Sequence, residues 1–213
     1  MKMRAGGTLL FIGDSITDCG RARPVGEGNG LGNGYVNLVN ALLAANCPTL
    51  KLRLLNTGIS GNRVIDLDAR WKTDMLDLKP DVLAIMIGIN DVWRQFDSPL
   101  NRRQVSPEEF RRVYSKLLKS ARRVVKNIAI MPPYYIEASK ADPMRKMMDE
   151  YGRIARKLAK EHGAVFADVQ AAFDAYLLHN PTQSLCGDRV HPNLNGHMII
   201  AKCFLDAVGF EWM

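Results

Sequence analysis

Paired cysteines are missing from this chain: Cys19, Cys47, Cys186 and Cys203 stand far apart, with no C-x-x-C spacing and no histidine cluster beside them. A zinc site and a disulfide scaffold are therefore not expected, and the four thiols are read as free. Long apolar runs are also lacking. The run near the N-terminus lasts only from Thr8 to Ile12 and leads directly into a polar turn, too short for a membrane span or a cleaved signal, so a cytoplasmic protein without a membrane partner is expected. The glycines follow neither the G-x-G-x-x-G nor the G-K-[ST] pattern in a strand-to-helix setting, which argues against dinucleotide and P-loop sites. Aromatic residues make up 8% of the chain and are not interleaved with its basic residues. The net charge of +7 is concentrated in residues 102–126, where Arg112, Lys116, Lys119, Arg123 and Lys126 fall on one side of a helix expected from Pro107 to Val125. Phe110, Val113, Tyr114, Leu117 and Val125 fall on the other, the pattern of a solvated face, and no nucleic-acid partner is expected. With no linker, repeat or low-complexity tract, the 213 residues, 47% of them hydrophobic, are read as one α/β domain, 1–213.

What is present is organised around Thr8-Leu9-Leu10-Phe11-Ile12-Gly13-Asp14-Ser15. An apolar strand buried on both faces, followed by a glycine turn, presents Ser15 at a strand's carboxyl end, where open α/β sheets bind ligands. Such a hydroxyl is a candidate nucleophile, or a cap. Residues 21–34 are too rich in glycine for a regular element and are read as a loop beside Ser15. A helix is expected over 35–46 and a second strand over 50–56. From that strand, Thr57-Gly58-Ile59-Ser60-Gly61-Asn62 turns into a helix carrying Val64, Leu67, Trp71, Met75 and Leu78 on its core stripe. Gly61 is placed at that helix start, where its N–H is available to an oxyanion or where glycine serves only the turn. Asp81 to Ile87 is the clearest buried strand, and Gly88-Ile89-Asn90-Asp91-Val92-Trp93 follows it. Asn90 offers a neutral donor suited to a developing negative charge, or a turn former; Trp93 walls the pocket or fills core.

Residues 95–106 read as a loop or lid. A strand over 127–131 stops at Pro132-Pro133, a helix is expected over 143–162, a last strand over 164–169 and a short helix over 171–178. The second stretch with chemistry is Cys186-Gly187-Asp188-Arg189-Val190-His191-Pro192-Asn193. Three positions separate Asp188 from His191, so one turn can bring carboxylate and imidazole together; the pair is either a local ion pair or an oriented general base whose Nε2 can take a hydroxyl proton. His162, His179 and His197 are assigned packing or surface roles.

Gly13-Asp14-Ser15-Ile16-Thr17, Gly61, Gly88-Ile89-Asn90-Asp91 and Asp188-Arg189-Val190-His191-Pro192 together resemble the SGNH (GDSL) hydrolases, with isoleucine where the family name quotes leucine. The runs Met86 to Phe96, Asp18-Cys19-Gly20-Arg21 and Gly32-Asn33-Gly34-Tyr35 resemble the intracellular acetylxylan esterase branch. The resemblance implies a flavodoxin-like three-layer α/β/α sandwich with a parallel sheet of about five strands. It implies Ser15 as nucleophile, His191 as base, Asp188 as its orienting acid, and an oxyanion hole of Ser15, Gly61 and Asn90, with Asp14 and Trp93 assigned to substrate binding. It further implies short-chain ester hydrolysis through an acyl-enzyme without metal or cofactor, an acetylated oligosaccharide as substrate, and a homo-oligomer. Lysophospholipase, acyl thioesterase and non-catalytic carbohydrate-binding relatives are the alternatives.

Overall fold

Burial on both faces decides which segments become strands. In a computed structural model that describes residues 3–97 and 103–212, these are β1 (Thr8–Gly13), β2 (Gly26–Glu27), β3 (Arg53–Asn56), β4 (Val82–Met86), β5 (Asn127–Met131) and β6 (Val165–Phe166). They form one six-stranded sheet in the order β2-β3-β1-β4-β5-β6. All pairs are parallel except β2 with β3. The five parallel strands are those expected. The sixth corrects the reading of residues 21–34 as wholly irregular: Gly26 and Glu27 pair with Asn56 and Leu55, and the Arg53 guanidinium holds both Glu27 carboxylate oxygens at 2.5 and 2.7 Å. That short antiparallel strand covers an edge of β3 that would otherwise expose unpaired backbone groups.

The helices are α1 (Ser15–Asp18), α2 (Tyr35–Asn46), α3 (Val64–Trp71), α4 (Ile89–Asp97), α5 (Pro107–Ala121), α6 (Pro143–Glu161), α7 (Val169–Leu177) and α8 (Leu194–Ala207). Phe11 of β1 meets the rings of Tyr35 in α2 and Phe204 in α8 at 5.6 and 5.1 Å, so those two helices lie on one face of the sheet. Helices α3, α5, α6 and α4 pack among themselves to form the other layer. Several boundaries move for local reasons. The second strand starts at Arg53 because Pro48–Leu50 forms a 3-10 turn. The last strand stops at Phe166 because Asp168 caps α7, accepting from the Ala171 N–H at 3.2 Å. Helix α4 absorbs Gln95 to Asp97 from the expected lid. Gln95 then donates to the Asp91 carbonyl at 2.8 Å, and buried Val105 offers its carbonyl to the Tyr151 hydroxyl. Residues 98–102 of that expected lid lie outside the described residues.

Two features of the sheet place the site. Leu9 pairs with both Leu54 and Val82, and Gly13 with Met86, so the central strands end at one level. The chain passes from β1 to β3 on one side and then to β4 on the other, which makes the β1/β4 boundary the switch point where ligands bind in open α/β sheets. Gly13 is required there because a Cβ would lie 2.2 Å from the Met86 carbonyl oxygen and 2.5 Å from the Thr17 hydroxyl. Gly13→Ala is expected to cost about 2–3 kcal/mol, the upper range for overpacking a backbone-walled site. Urea unfolding measures it, and an unchanged midpoint would contradict the packing described.

Candidate active site

Ser15 is the first residue of α1, directly past the end of β1, and Asp14 caps that turn by accepting the Ile16 N–H at 3.1 Å. From the far end of the chain, His191 brings its Nε2 to 2.9 Å from the Ser15 hydroxyl. Its Nδ1 lies 2.7 Å from Asp188 Oδ2, while Asp188 Oδ1 accepts the backbone N–H groups of Val190 and His191 at 2.9 and 2.8 Å. Burial raises the Asp188 carboxyl, but the hydrogen bonds from the His191 ring and from those two amides outweigh it and hold the group below its ordinary value. Asp188 thus stays anionic and fixes the ring with Nε2 toward Ser15. The loop is braced from outside: the Tyr134 hydroxyl donates to the Val190 carbonyl at 3.1 Å, the Ile136 N–H to the Arg189 carbonyl at 2.9 Å, and Arg189 pairs with Glu137 at 2.8 Å.

Asn90 and Gly61 arrive on the other two strand ends. Asn90 is 2% exposed, and one of its amide hydrogens goes to the Asn62 carbonyl at 3.1 Å, leaving the second to point elsewhere. Gly61 does not begin the helix as expected. Arg63 is the N-cap of α3, and Gly61 sits in the preceding turn at φ +80°, a left-handed conformation suited to glycine. Among the described residues, neither the Ser15 nor the Gly61 amide donates to a protein acceptor. Three strand ends thus carry a hydroxyl with an oriented base and N–H donors without a protein acceptor, the kinds of group that acyl transfer through a tetrahedral oxyanion uses.

The family model of the GDSL-like lipase/acylhydrolases matches residues 11–199. The chain belongs to that family. It is 50% identical over 216 residues to an acetylxylan esterase of Geobacillus stearothermophilus, covering 100% of this chain and 99% of that one. Crystal structures of that esterase superpose with a TM-score of 0.98 over the same extent. They include forms described as catalytic mutants, in which a serine, a histidine or an aspartate is replaced by alanine. An α/β hydrolase from the metagenome of Lake Arreo, Spain, is also 50% identical, with a TM-score of 0.95 over 97% of each chain. Membership makes the chain an acyl-ester hydrolase.

Within this hydrolase, two positions assigned to substrate binding fare differently. Trp93 lies one turn beyond Asn90 on α4, packs partly on the core, and places its ring 5.6 Å from that of His191, at the rim of the site. Asp14 is 1% exposed and its carboxylate turns inward as the cap of α1, so it supports the serine turn from beneath. A second carboxyl, Asp91, to which the sequence assigned no role, is buried at 1% exposure, and its oxygens accept the Val64 N–H at 3.1 and 3.2 Å. Its position directly after Asn90 is the signal that was available. Helix α8 adds to the elements expected from the sequence; Pro192-Asn193 is its start signal, and Asn193 accepts from the Asn195 and Gly196 amides. Buried His197 on that helix accepts the Tyr35 N–H at 3.2 Å, the packing role expected of it. Among the described residues, no group of three or more His, Cys, Asp or Glu side chains is placed to hold a metal ion.

Burial pushes Asp14 up to about 7, against the pull of the Ile16 amide and Arg70, and pushes Asp91 up to about 8, with Asp14 adding to the rise. The unfolded chain releases such protons near pH 4, so from there to about 8 the folded form binds more protons and stability falls as pH rises. His197, pushed down to about 4 by burial, acts with the opposite sign: stability falls as pH drops from about 6.5 toward 4. Asp91→Asn is expected to shrink the loss of stability between about pH 5.5 and 8.5, read from urea midpoints. A loss as large as in the wild type would contradict a buried, protonated Asp91.

Proposed function

We propose that the protein is a cytoplasmic serine esterase that removes acetyl groups from xylo-oligosaccharides. The observation that carries the chemistry is the unbroken relay from Ser15 through His191 to Asp188 beside the free amides of Ser15 and Gly61 and the free N–H of Asn90. Ser15 Oγ attacks the acetyl carbonyl carbon while His191 Nε2 takes its proton, and the carbonyl oxygen becomes an oxyanion facing those donors. Collapse expels the sugar hydroxyl, which receives the proton from His191, and leaves acetyl on Ser15. Water, deprotonated by His191, then attacks the acetyl carbon, and collapse releases acetate as His191 returns the proton to Ser15 Oγ. Asp188 remains ionised throughout and steadies the imidazolium. No step calls for a metal or organic cofactor.

The substrate follows from the likeness to the Geobacillus acetylxylan esterase over the whole chain and from Trp93 at the rim, which narrows the space beside the nucleophile. No helix among the described residues is long and apolar enough to cross a membrane. A homo-oligomer is supported by exposed apolar side chains on α8: Leu194 and Met198 are one turn apart, and Trp212 lies over Lys202 of the same helix at 5.5 Å.

Ser15→Ala is expected to abolish hydrolysis of a chromogenic acetate ester, and a serine-directed phosphonate to label Ser15; undiminished turnover in that variant would refute the mechanism. Asn90→Ala is expected to lower kcat by roughly 10²–10³ with KM little changed, the loss for one oxyanion donor. A raised KM at unaltered kcat would make Asn90 a ground-state contact instead.

Chain-length selectivity separates this reading from a lysophospholipase. Each methylene left unburied forfeits about 0.8 kcal/mol, so kcat/KM is expected to fall steeply from acetate and butanoate to octanoate and dodecanoate, with Trp93→Ala flattening the slope. A maximum at octanoate or longer, without acetate release from acetylated xylobiose, would assign the protein to lipolysis.

A further inference from the structure

Gly61 has no side chain with which to be held, yet the direction of its N–H decides whether it serves an oxyanion. The residues on either side of it are tied down from two directions. On one side, Arg70 of α3 donates from Nε to Asn62 Oδ1 at 2.7 Å, from Nη1 to the Thr57 carbonyl at 2.6 Å and from Nη2 to the Gly13 carbonyl at 3.0 Å. Asp74 Oδ2 lies 2.6 Å from the same Nη1 and keeps the fork in place. On the other side, Asp18 Oδ2, at the end of α1, accepts both the Ser60 amide at 3.0 Å and the Ser60 hydroxyl at 3.1 Å. Each anchor also belongs to the nucleophile's own support. Arg70 grips the strand carbonyl directly ahead of Asp14 and Ser15, and Asp18 closes the helical turn that Ser15 opens. The backbone carbonyl of Asn62 receives the Asn90 amide, so a shift of this residue moves two of the three donors together.

We infer that Arg70 and Asp18 are positioning residues that set the Gly61 turn against Ser15, so that the oxyanion donors share one frame with the nucleophile. The inference rests on the esterase reading above. A guanidinium is needed because its planar fork serves four acceptors at fixed angles, Asp74 among them, which a lysine ammonium on a flexible stem does not reproduce. Asp18 is 3% exposed, and its Oδ1 has no partner, so its hold on Ser60 comes through Oδ2 alone. Neither residue touches the substrate in this account. Their effect is on where donors stand relative to a charge that exists only in the transition state, and a misplacement of about 1 Å there is worth up to roughly 10²-fold in rate.

The test uses Arg70→Lys, Asp18→Asn and Asn62→Ala in the full chain, with active sites counted by stoichiometric phosphonate labelling. Asn62→Ala removes the side-chain acceptor of Arg70 while keeping the carbonyl that holds Asn90, so it remains informative if Arg70→Lys fails to fold. The expected result is a kcat per titrated site lowered roughly 10- to 100-fold in each variant, with KM within about twofold. Affinity for a boronic acid that forms a tetrahedral adduct on Ser15 should fall by the same factor as kcat. In an Asn90→Ala background, the further loss caused by Asn62→Ala should be smaller than in the wild type. Variants with a lowered melting temperature but wild-type kcat per titrated site and wild-type boronate affinity would reduce Arg70 and Asp18 to stability alone and overturn the inference. Ser15→Ala run alongside separates the two levels: full turnover in it overturns the esterase reading itself, whereas its inactivity beside unimpaired clamp variants overturns only the clamp.

Discussion

Everything in the site depends on how closely the ends of β1 and β4 approach each other. Gly13 stands level with Met86, and the space where its side chain would be is taken by the Met86 carbonyl and the Thr17 hydroxyl. That contact allows the chain to turn into α1 immediately, so Ser15 emerges at the same height as the residues that follow β3 and β4. Loops that began further from the sheet would spread the hydroxyl and the oxyanion donors over distances that acyl transfer does not tolerate.

The same closeness has an electrostatic cost. Turning so abruptly leaves Asp14 and Asp91 in the interior, where both are pushed toward neutrality by burial. Each is retained because it caps a helix that carries or faces the site: Asp14 the serine turn, Asp91 the start of α3. The third acidic group, Asp188, lies nearer the surface, and hydrogen bonds hold its carboxyl below the ordinary value. Three carboxyls within one active site thus have different charge states set by their surroundings. Of these three, only Asp188, which must support an imidazolium, is held below its ordinary value.

Much of this was legible in the residue order. The apolar runs at 8–12, 82–86 and 127–131 carried their own strand signal, and the spacing of Asp188 and His191 was enough to bring them together locally. Trp93 was placed at the site through its position after Asn90. What could not be read depends on partners distant in sequence. Arg70 reaches Gly13 across 57 residues, and nothing in its local helix pattern distinguishes it from a solvated arginine. The inward turn of Asp14 is decided by the packing of the sheet end, not by the motif that contains it. Strand β2 is two residues long and exists through its pairing with β3, below what periodicity can detect. Gly61 lies in a left-handed turn and not at the expected helix start, because the two look alike in sequence.

In the mechanism proposed above, an acyl group passes through Ser15. Rapid acid quench during turnover of acetylated xylobiose, followed by peptide mass mapping, tests it most directly. A transient acetyl group is expected on the peptide that carries Ser15, and on no other. Steady acetate release with no acylated peptide at any quench time, or with acetyl on another side chain, would contradict it.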